Sequence, residues 1–160
     1  ANYGARELLT ISGVPVGKEI PDLMPEYYGS GIRNPGGSII VIVATDAPML
    51  SHQLKRLARR VPIGIGKVGG LGENSSGDIF LAFSTANQGA ADMKGADHIR
   101  MISNEQIDPV LKATVQATEE VIINALVAAR TMVGINNNKI YGLPHERVRE
   151  ILRKYNRLVE

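Results

Sequence analysis

Residues 36–45 read GGSIIVIVAT, and the fold turns on how that run is read. Two glycines lead into a serine, and aliphatic residues follow from Ile39 to Ala44. Side chains alternate along an extended chain, so Ile39, Val41 and Val43 face one way while Ile40, Ile42 and Ala44 face the other. Both faces are apolar, which predicts a strand over 38–45 covered on both sides. A second run of this kind, DIFLAFSTA at 78–86, sets Ile79, Leu81 and Phe83 against Phe80 and Ala82.

Working outward, Asp46 and Pro48 read as the cap and first turn of a helix, APMLSHQLKRLARRV, over 47–61. Its apolar stripe is Leu50, Leu54, Leu57 and Val61. A glycine-rich loop is predicted from Gly64 to Gly77. Asp108-Pro109 opens a long helix to about Val133, with a stripe of Ile107, Val110, Leu111, Thr114, Thr118, Val121, Ile122, Ala125 and Leu126. GINNNKIYG breaks it, and a last helix begins near Pro144 with Val148, Ile151, Leu152 and Tyr155 on one side. Short strands are predicted at ELLTIS (7–12) and HIRMIS (98–103). Residues 13–37, rich in glycine and proline, read as a long loop of the kind that is functional or disordered. Helices between strands imply a layered α/β arrangement, with helices against one face of the strands and a second sheet against the other.

The totals narrow the function. The 160 residues suit one domain, and a formal net charge of +2 gives no reason to expect a polyanionic partner. Without cysteine there are no disulfides, thiolate nucleophiles or Cys-based zinc sites. His52, His98 and His145 lie far apart without metal-ligand spacing, so no metal and no cofactor are expected. No apolar run approaches the ~20 residues of a membrane span. The chain opens on ANYGARELLTISGVPVG without a methionine and reads as the C-terminal part of a longer product.

Ser38 raises a chemical question. If the Gly37–Ser38 bond is cut, one residue carries both a hydroxyl nucleophile and a free α-amine. Such an amine titrates near roughly 7.7–8.0 and can serve as the general base. That would replace the histidine of a Ser-His-Asp triad. Glycine before the serine permits the backbone geometry that attack on the Gly37 carbonyl requires. A plain turn before a strand explains the same letters. GENSSGD at 72–78 places Asn74, Ser75, Ser76 and Asp78 ahead of the second strand. If the two strands are neighbours, a hydroxyl and a carboxylate could orient the nucleophile; a polar turn is the other reading.

Three further features point elsewhere. GIGKVG at 64–69 matches G-x-G-x-x-G, but it follows a helix and leads to a loop, the wrong setting for a dinucleotide fingerprint. Lys67 is not followed by Ser or Thr, so it is no P-loop. Lys55, Arg56, Arg59 and Arg60 form a basic helix face without interleaved aromatics, which suits solvation or subunit contact better than nucleic acid. Asn2, before Tyr3, carries an amide able to donate to an oxyanion.

ANYG, GVPVG, GGSIIVIVATDAPMLSHQLKRLARR and GENSSGDIFLAFSTAN occur in that order. Together they resemble the DmpA-like family of L-aminopeptidases/D-esterases, which includes the β-peptidyl aminopeptidases, over most of residues 1–133. The resemblance implies a self-processing hydrolase with a four-layer α-β-β-α sandwich, similar to N-terminal nucleophile hydrolases but differently connected. It implies autocleavage at Gly37-Ser38, with 1–37 as the tail of the larger chain and 38–160 as the smaller chain headed by the nucleophile. Ser38 matches the nucleophile, Ser76 and Asp78 its serine and acidic partners, and Asn2 the oxyanion asparagine. Members carry Asp or Glu where Asp78 stands. The family's large upstream region, which contributes to the substrate pocket, is absent from these 160 residues.

The function implied is release of N-terminal residues from small peptides, amides or esters through an acyl-enzyme on Ser38. Two rivals stand beside it: an acyltransferase using the same nucleophile, and a non-catalytic, unprocessed assembly subunit. The expected partners are the substrate, the upstream region of the same precursor and further copies in a homo-oligomer, with neither nucleic acid nor membrane. The expected location is cytoplasmic.

Overall fold

The computed structural model describes residues 4–28, 37–95 and 98–159. Its centre is a parallel pair, β1 (Ile40–Thr45) and β2 (Ile79–Ser84). Every rung joins residue n of β1 to residue n + 39 of β2, from Ile40 opposite Ile79 to Thr45 opposite Ser84. The ladder runs past both ends, with Ile79 N–H donating to Ile39 O at 3.0 Å and Thr85 N–H to Thr45 O at 2.9 Å. Parallel neighbours need a long crossover. Here it consists of α2 (Ser51–Ala58) and α3 (Val61–Lys67).

The two faces of this pair differ. Val43 and Ala82 pack against a cluster of Met49, Leu57, Ile107 and Leu111, while Val41 and Phe80 pack against Ile39, Val61 and Ile65. The other face is bare: Ile40, Ile42, Ile79, Leu81 and Phe83 are between 43% and 65% exposed. The alternation of side chains is as the sequence predicts. Among the described residues, helices cover only one of the two apolar faces.

Local corrections follow from packing. The first long helix begins at Ser51, not in the Asp46–Pro48 turn. Pro48 O instead accepts from Ile102 N–H at 2.7 Å, and 46–50 stay irregular with a bend at Ala47. The cap comes from Gln53, fully buried, whose Oε1 accepts from Leu50 N–H at 3.4 Å while its Nε2 donates to Ile102 O at 2.8 Å. The GIGK stretch, predicted as loop, is the body of α3. Gly64 allows this helix to lie against α4 (Asp108–Ala128): a Cβ there would stand 2.6 Å from Thr118 Cβ and 2.7 Å from Val115 O. Tight packing thus overrides glycine's poor helix propensity.

α4 stops at Ala128 rather than near Val133, and a small hairpin follows, β3 (Met132–Val133) and β4 (Lys139–Ile140). The stripe of α4 is buried at Leu111, Thr114 and Thr118 but emerges at Val121 and Ala125. HIRMIS forms no strand. The Asn87 amide takes the place of a strand partner, accepting from Arg100 N–H at 2.9 Å and donating to Arg100 O at 3.1 Å.

ELLTIS is likewise not a strand. It is a 3₁₀ turn at Arg6–Leu8 followed by a tight reversal, in which Ile11 pairs with Val14 across Ser12 and Gly13 at positive φ. A short helix, α1 (Val16–Glu19), comes next. Within the stretch predicted as a featureless loop, Val14, Val16 and Ile20 are buried. They pack with Ile11 against Val148 and Ile151 of the last helix, α5 (His145–Lys154).

Candidate active site

The 39-residue offset of the ladder decides what meets at its head. Carried back from Ile40–Ile79, it sets Ser38 opposite Gly77 and brings Ser76 and Asp78 to either side. The contacts follow this register. Gly77 N–H donates to Ser38 Oγ at 3.0 Å. Ser76 Oγ–H donates to Asp78 Oδ1 at 2.5 Å, and the same oxygen accepts from Ile39 N–H at 3.2 Å.

The local sequence explains this geometry. Ser76 N–H bonds to Glu73 O at 2.8 Å, closing a turn from the polar residues before β2. That turn delivers Ser76, Gly77 and Asp78 to the rim. Asp78 then joins the two strands through a side chain, because its carboxylate takes the amide that follows Ser38. By alternation Ser38 belongs with Ile40 and Ile42 on the bare face, so its hydroxyl adjoins an open apolar surface. Asn74 and Ser75 of the same turn are exposed.

Of the residues singled out from the sequence, Gly37, Ser38, Ser76 and Asp78 are gathered at one rim. Asn2 lies outside the described residues. The basic residues lie elsewhere, on α2 and just beyond it: Lys55 and Arg59 are exposed, and Arg56 donates to Asn104 Oδ1 at 2.9 Å. Sequence reasoning missed Gly77. Its signal was there: a glycine between Ser76 and Asp78, standing opposite Ser38 once the strands pair. A Cβ at Gly77 would come within 3.3 Å of Ser38 Oγ.

The head of the two strands thus carries a hydroxyl held by a backbone amide, beside a second hydroxyl bonded to a carboxylate. The chain belongs to peptidase family S58, whose model matches residues 1–140. It is 46% identical over 167 aligned residues to the β-peptidyl aminopeptidase BapA of Sphingosinicella microcystinivorans, covering 98% of this chain and 42% of that protein. Among solved structures it resembles the L-aminopeptidase D-Ala-esterase/amidase of Ochrobactrum anthropi, described as a prototype for the serine aminopeptidases and a new variant among the Ntn hydrolase fold. The TM-score is 0.86 at 45% identity, over 99% of this chain and 43% of that one. A β-aminopeptidase from Burkholderia sp. matches with TM-score 0.78 at 40% identity, over 96% of this chain and 42% of that one. The chain thus has an α/β fold of the Ntn-hydrolase type and spans about two fifths of the length of these relatives.

Proposed function

We propose that this chain carries the nucleophile of an aminopeptidase that also acts on amides and esters, and that it is made active by a cut at Gly37–Ser38. The observation that carries this reading is the meeting of Ser38, Ser76 and Asp78 at the head of β1 and β2. Family membership and the relatives' activities support it.

In the first step Ser38 Oγ attacks the Gly37 carbonyl carbon and the Ser38 nitrogen leaves with a proton, forming an ester. Water hydrolyses that ester, freeing a Gly37 carboxylate and the Ser38 hydroxyl with its new α-amine. In turnover the amine takes the hydroxyl proton, directly or through a neighbouring hydroxyl or water, as Oγ attacks the scissile carbonyl of the substrate. The leaving amine then receives a proton, and water releases the acyl group. Asp78 fixes the start of β1 through Ile39 N–H and orients Ser76. Asn2 and backbone amides supply the oxyanion donors. The bare face beside Ser38 receives the upstream region of the same precursor, which closes the substrate pocket. Assembly into a homo-oligomer belongs to the same proposal.

Mass spectrometry of the purified protein tests the cut. The expected result is a cut between Gly37 and Ser38, with one fragment beginning at Ser38, and one intact chain for Ser38→Ala. A Ser38→Ala chain that matures at the same bond overturns the mechanism.

A further inference from the structure

We infer that the groove at the far end of β1 and β2 binds a short peptide with both termini free. It lies at the carboxyl ends of the two parallel strands, whereas Ser38 stands at their amino ends. A strand of six residues sets the two about 20 Å apart. In open α/β sheets ligands commonly sit outside the carboxyl ends of the strands. The groove has a volume of about 610 Å³, and Asp46, Thr85, Asn87, Gln88, His98 and Arg100 supply its polar lining. Cavities of roughly 300–1,000 Å³ are the usual size for small ligands.

The lining is fixed in place by the chain itself. Asp46 follows directly on Thr45, the last residue of β1. The backbone just after it is tied to the end of β2: Ser84 Oγ donates to Ala47 O at 2.6 Å, and Ala86 N–H donates to Ser84 Oγ at 3.2 Å. Thr85 N–H closes the ladder by donating to Thr45 O at 2.9 Å. The rest of the lining comes from 98–100. There the Asn87 amide bonds to both backbone groups of Arg100, and Arg100 Nη2 donates to Ala86 O at 2.9 Å. A site held in this way loses little freedom when a ligand enters.

Charge gives the class of ligand. Asp46 and Arg100 line one groove, yet neither belongs to an ion pair among the described residues. Carboxylate and guanidinium therefore stand more than 4.0 Å apart. No hydrogen bond from a described residue reaches the Asp46 carboxylate. A guanidinium carries five N–H donors, and Arg100 spends one of them on Ala86 O. A molecule with a carboxylate at one end and an ammonium at the other satisfies both groups at once. The carboxylate takes the planar fork of Arg100, and the ammonium takes Asp46. The Gln88 amide offers a donor and an acceptor, as a peptide bond does, and the Thr85 hydroxyl and the His98 ring add to them. A simple anion would be repelled by Asp46, and a simple cation by Arg100. None of these groups belongs to the cluster at Ser38, so the site stands whether or not the chain is cut.

The test uses the 160-residue Ser38→Ala protein, so that neither cutting nor turnover intervenes. Titration followed by NMR reads the binding of three probes: L-alanyl-L-alanine, its N-acetyl form and its C-terminal amide. The free dipeptide is expected to bind saturably, and blocking either end should weaken it about tenfold, the scale of one lost charged hydrogen bond. Asp46→Asn should weaken the free dipeptide by a similar factor and leave the N-acetyl form unchanged. Arg100→Gln should weaken the free dipeptide likewise and leave the amide form unchanged. The Asn87 bonds survive that change, because they reach the Arg100 backbone. If Arg100→Gln disturbs the fold by circular dichroism, Asp46→Asn and the three probes still decide. No binding of the free dipeptide overturns the proposal. Equal binding of a blocked form also overturns it, since that marks a site for a simple ion. So does a dipeptide affinity unchanged by Asp46→Asn, which puts the binding elsewhere, the Ser38 rim included.

Discussion

Ser38 Oγ is bonded to an amide whose residue has no side chain, and this makes Gly77 the most exacting position of the site. A Cβ 3.3 Å from the hydroxyl is tighter than an ordinary contact, so alanine must push Oγ or the turn aside. Gly77→Ala is therefore expected to lower kcat roughly tenfold or more, since small misplacements of a reacting group are costly. The melting temperature should barely move, because Gly77 is exposed. A kcat equal to wild type in processed protein would remove Gly77 from the site. Asp78→Asn keeps an oxygen for Ile39 N–H but withdraws the charge that holds Ser76. Turnover should drop by roughly 100-fold, the scale of a lost acid–base partner. Normal rates in both Asp78→Asn and Ser76→Ala would exclude the pair. That Ser38, Ser76 and Asp78 could meet at one rim was legible because each motif precedes a strand apolar on both faces, while a plain turn explained the same letters and their roles came only with the family resemblance. Gly77 was not, because its meaning arises only when the strands pair.

Among the elements, α3 shows where local reading fails. Two glycines in seven residues argue against a helix, yet α3 forms because Gly64 lets it touch α4. The two glycines should answer oppositely to alanine. Gly64→Ala places a Cβ against Thr118 Cβ and Val115 O, and overpacking of this kind costs about 1–3 kcal/mol. Gly66→Ala meets nothing within 4 Å and should stabilise by about 0.5–1 kcal/mol through helix propensity. Urea unfolding of the two variants measures both signs; the same sign in both would refute the account. The start of α5 was predicted within a residue, near Pro144, and its stripe was read, but not its partner, because tight turns and one helical turn carry no periodic signal. The Arg147 guanidinium, bonded to both carboxylate oxygens, holds Asp22 at about 2 against an ordinary 3.8. A carboxylate with a depressed folded pKa adds stability above its unfolded value and loses it as pH falls through the folded one. Wild type should thus lose stability between about pH 4 and pH 2. Arg147→Ala should be less stable at pH 5 and show a shallower loss over that window. Equal slopes in acid titrations of the two proteins would count against the pairing.

At the scale of the whole molecule, the apolar face of β1 and β2 sets the behaviour of the 160 residues. Ile40, Ile42, Ile79, Leu81 and Phe83 form a continuous exposed surface, and such patches mark interaction sites. The chain alone is expected to bind a hydrophobic dye and to associate with rising concentration. Ile42→Lys with Leu81→Lys should reduce both effects, as read by fluorescence and sedimentation; no change would mean that association lies elsewhere. The sequence showed that both faces are apolar, and it could not show that helices of the described residues cover only one of them. The constant offset of the ladder also makes the molecule's tolerance to change lopsided. Residues gained or lost in the middle of the crossover, between the end of β1 and the turn at Glu73, leave every rung joining the same two side chains. A single residue gained between Asp78 and Ile79, or lost at Gly77 or Asp78, shifts the frame by one. Asp78 or Ser76 would then stand where Gly77 does, and the amide that holds Ser38 would belong to a residue with a side chain. Length variation among natural versions of this chain should therefore collect in the crossover and stop short of the turn.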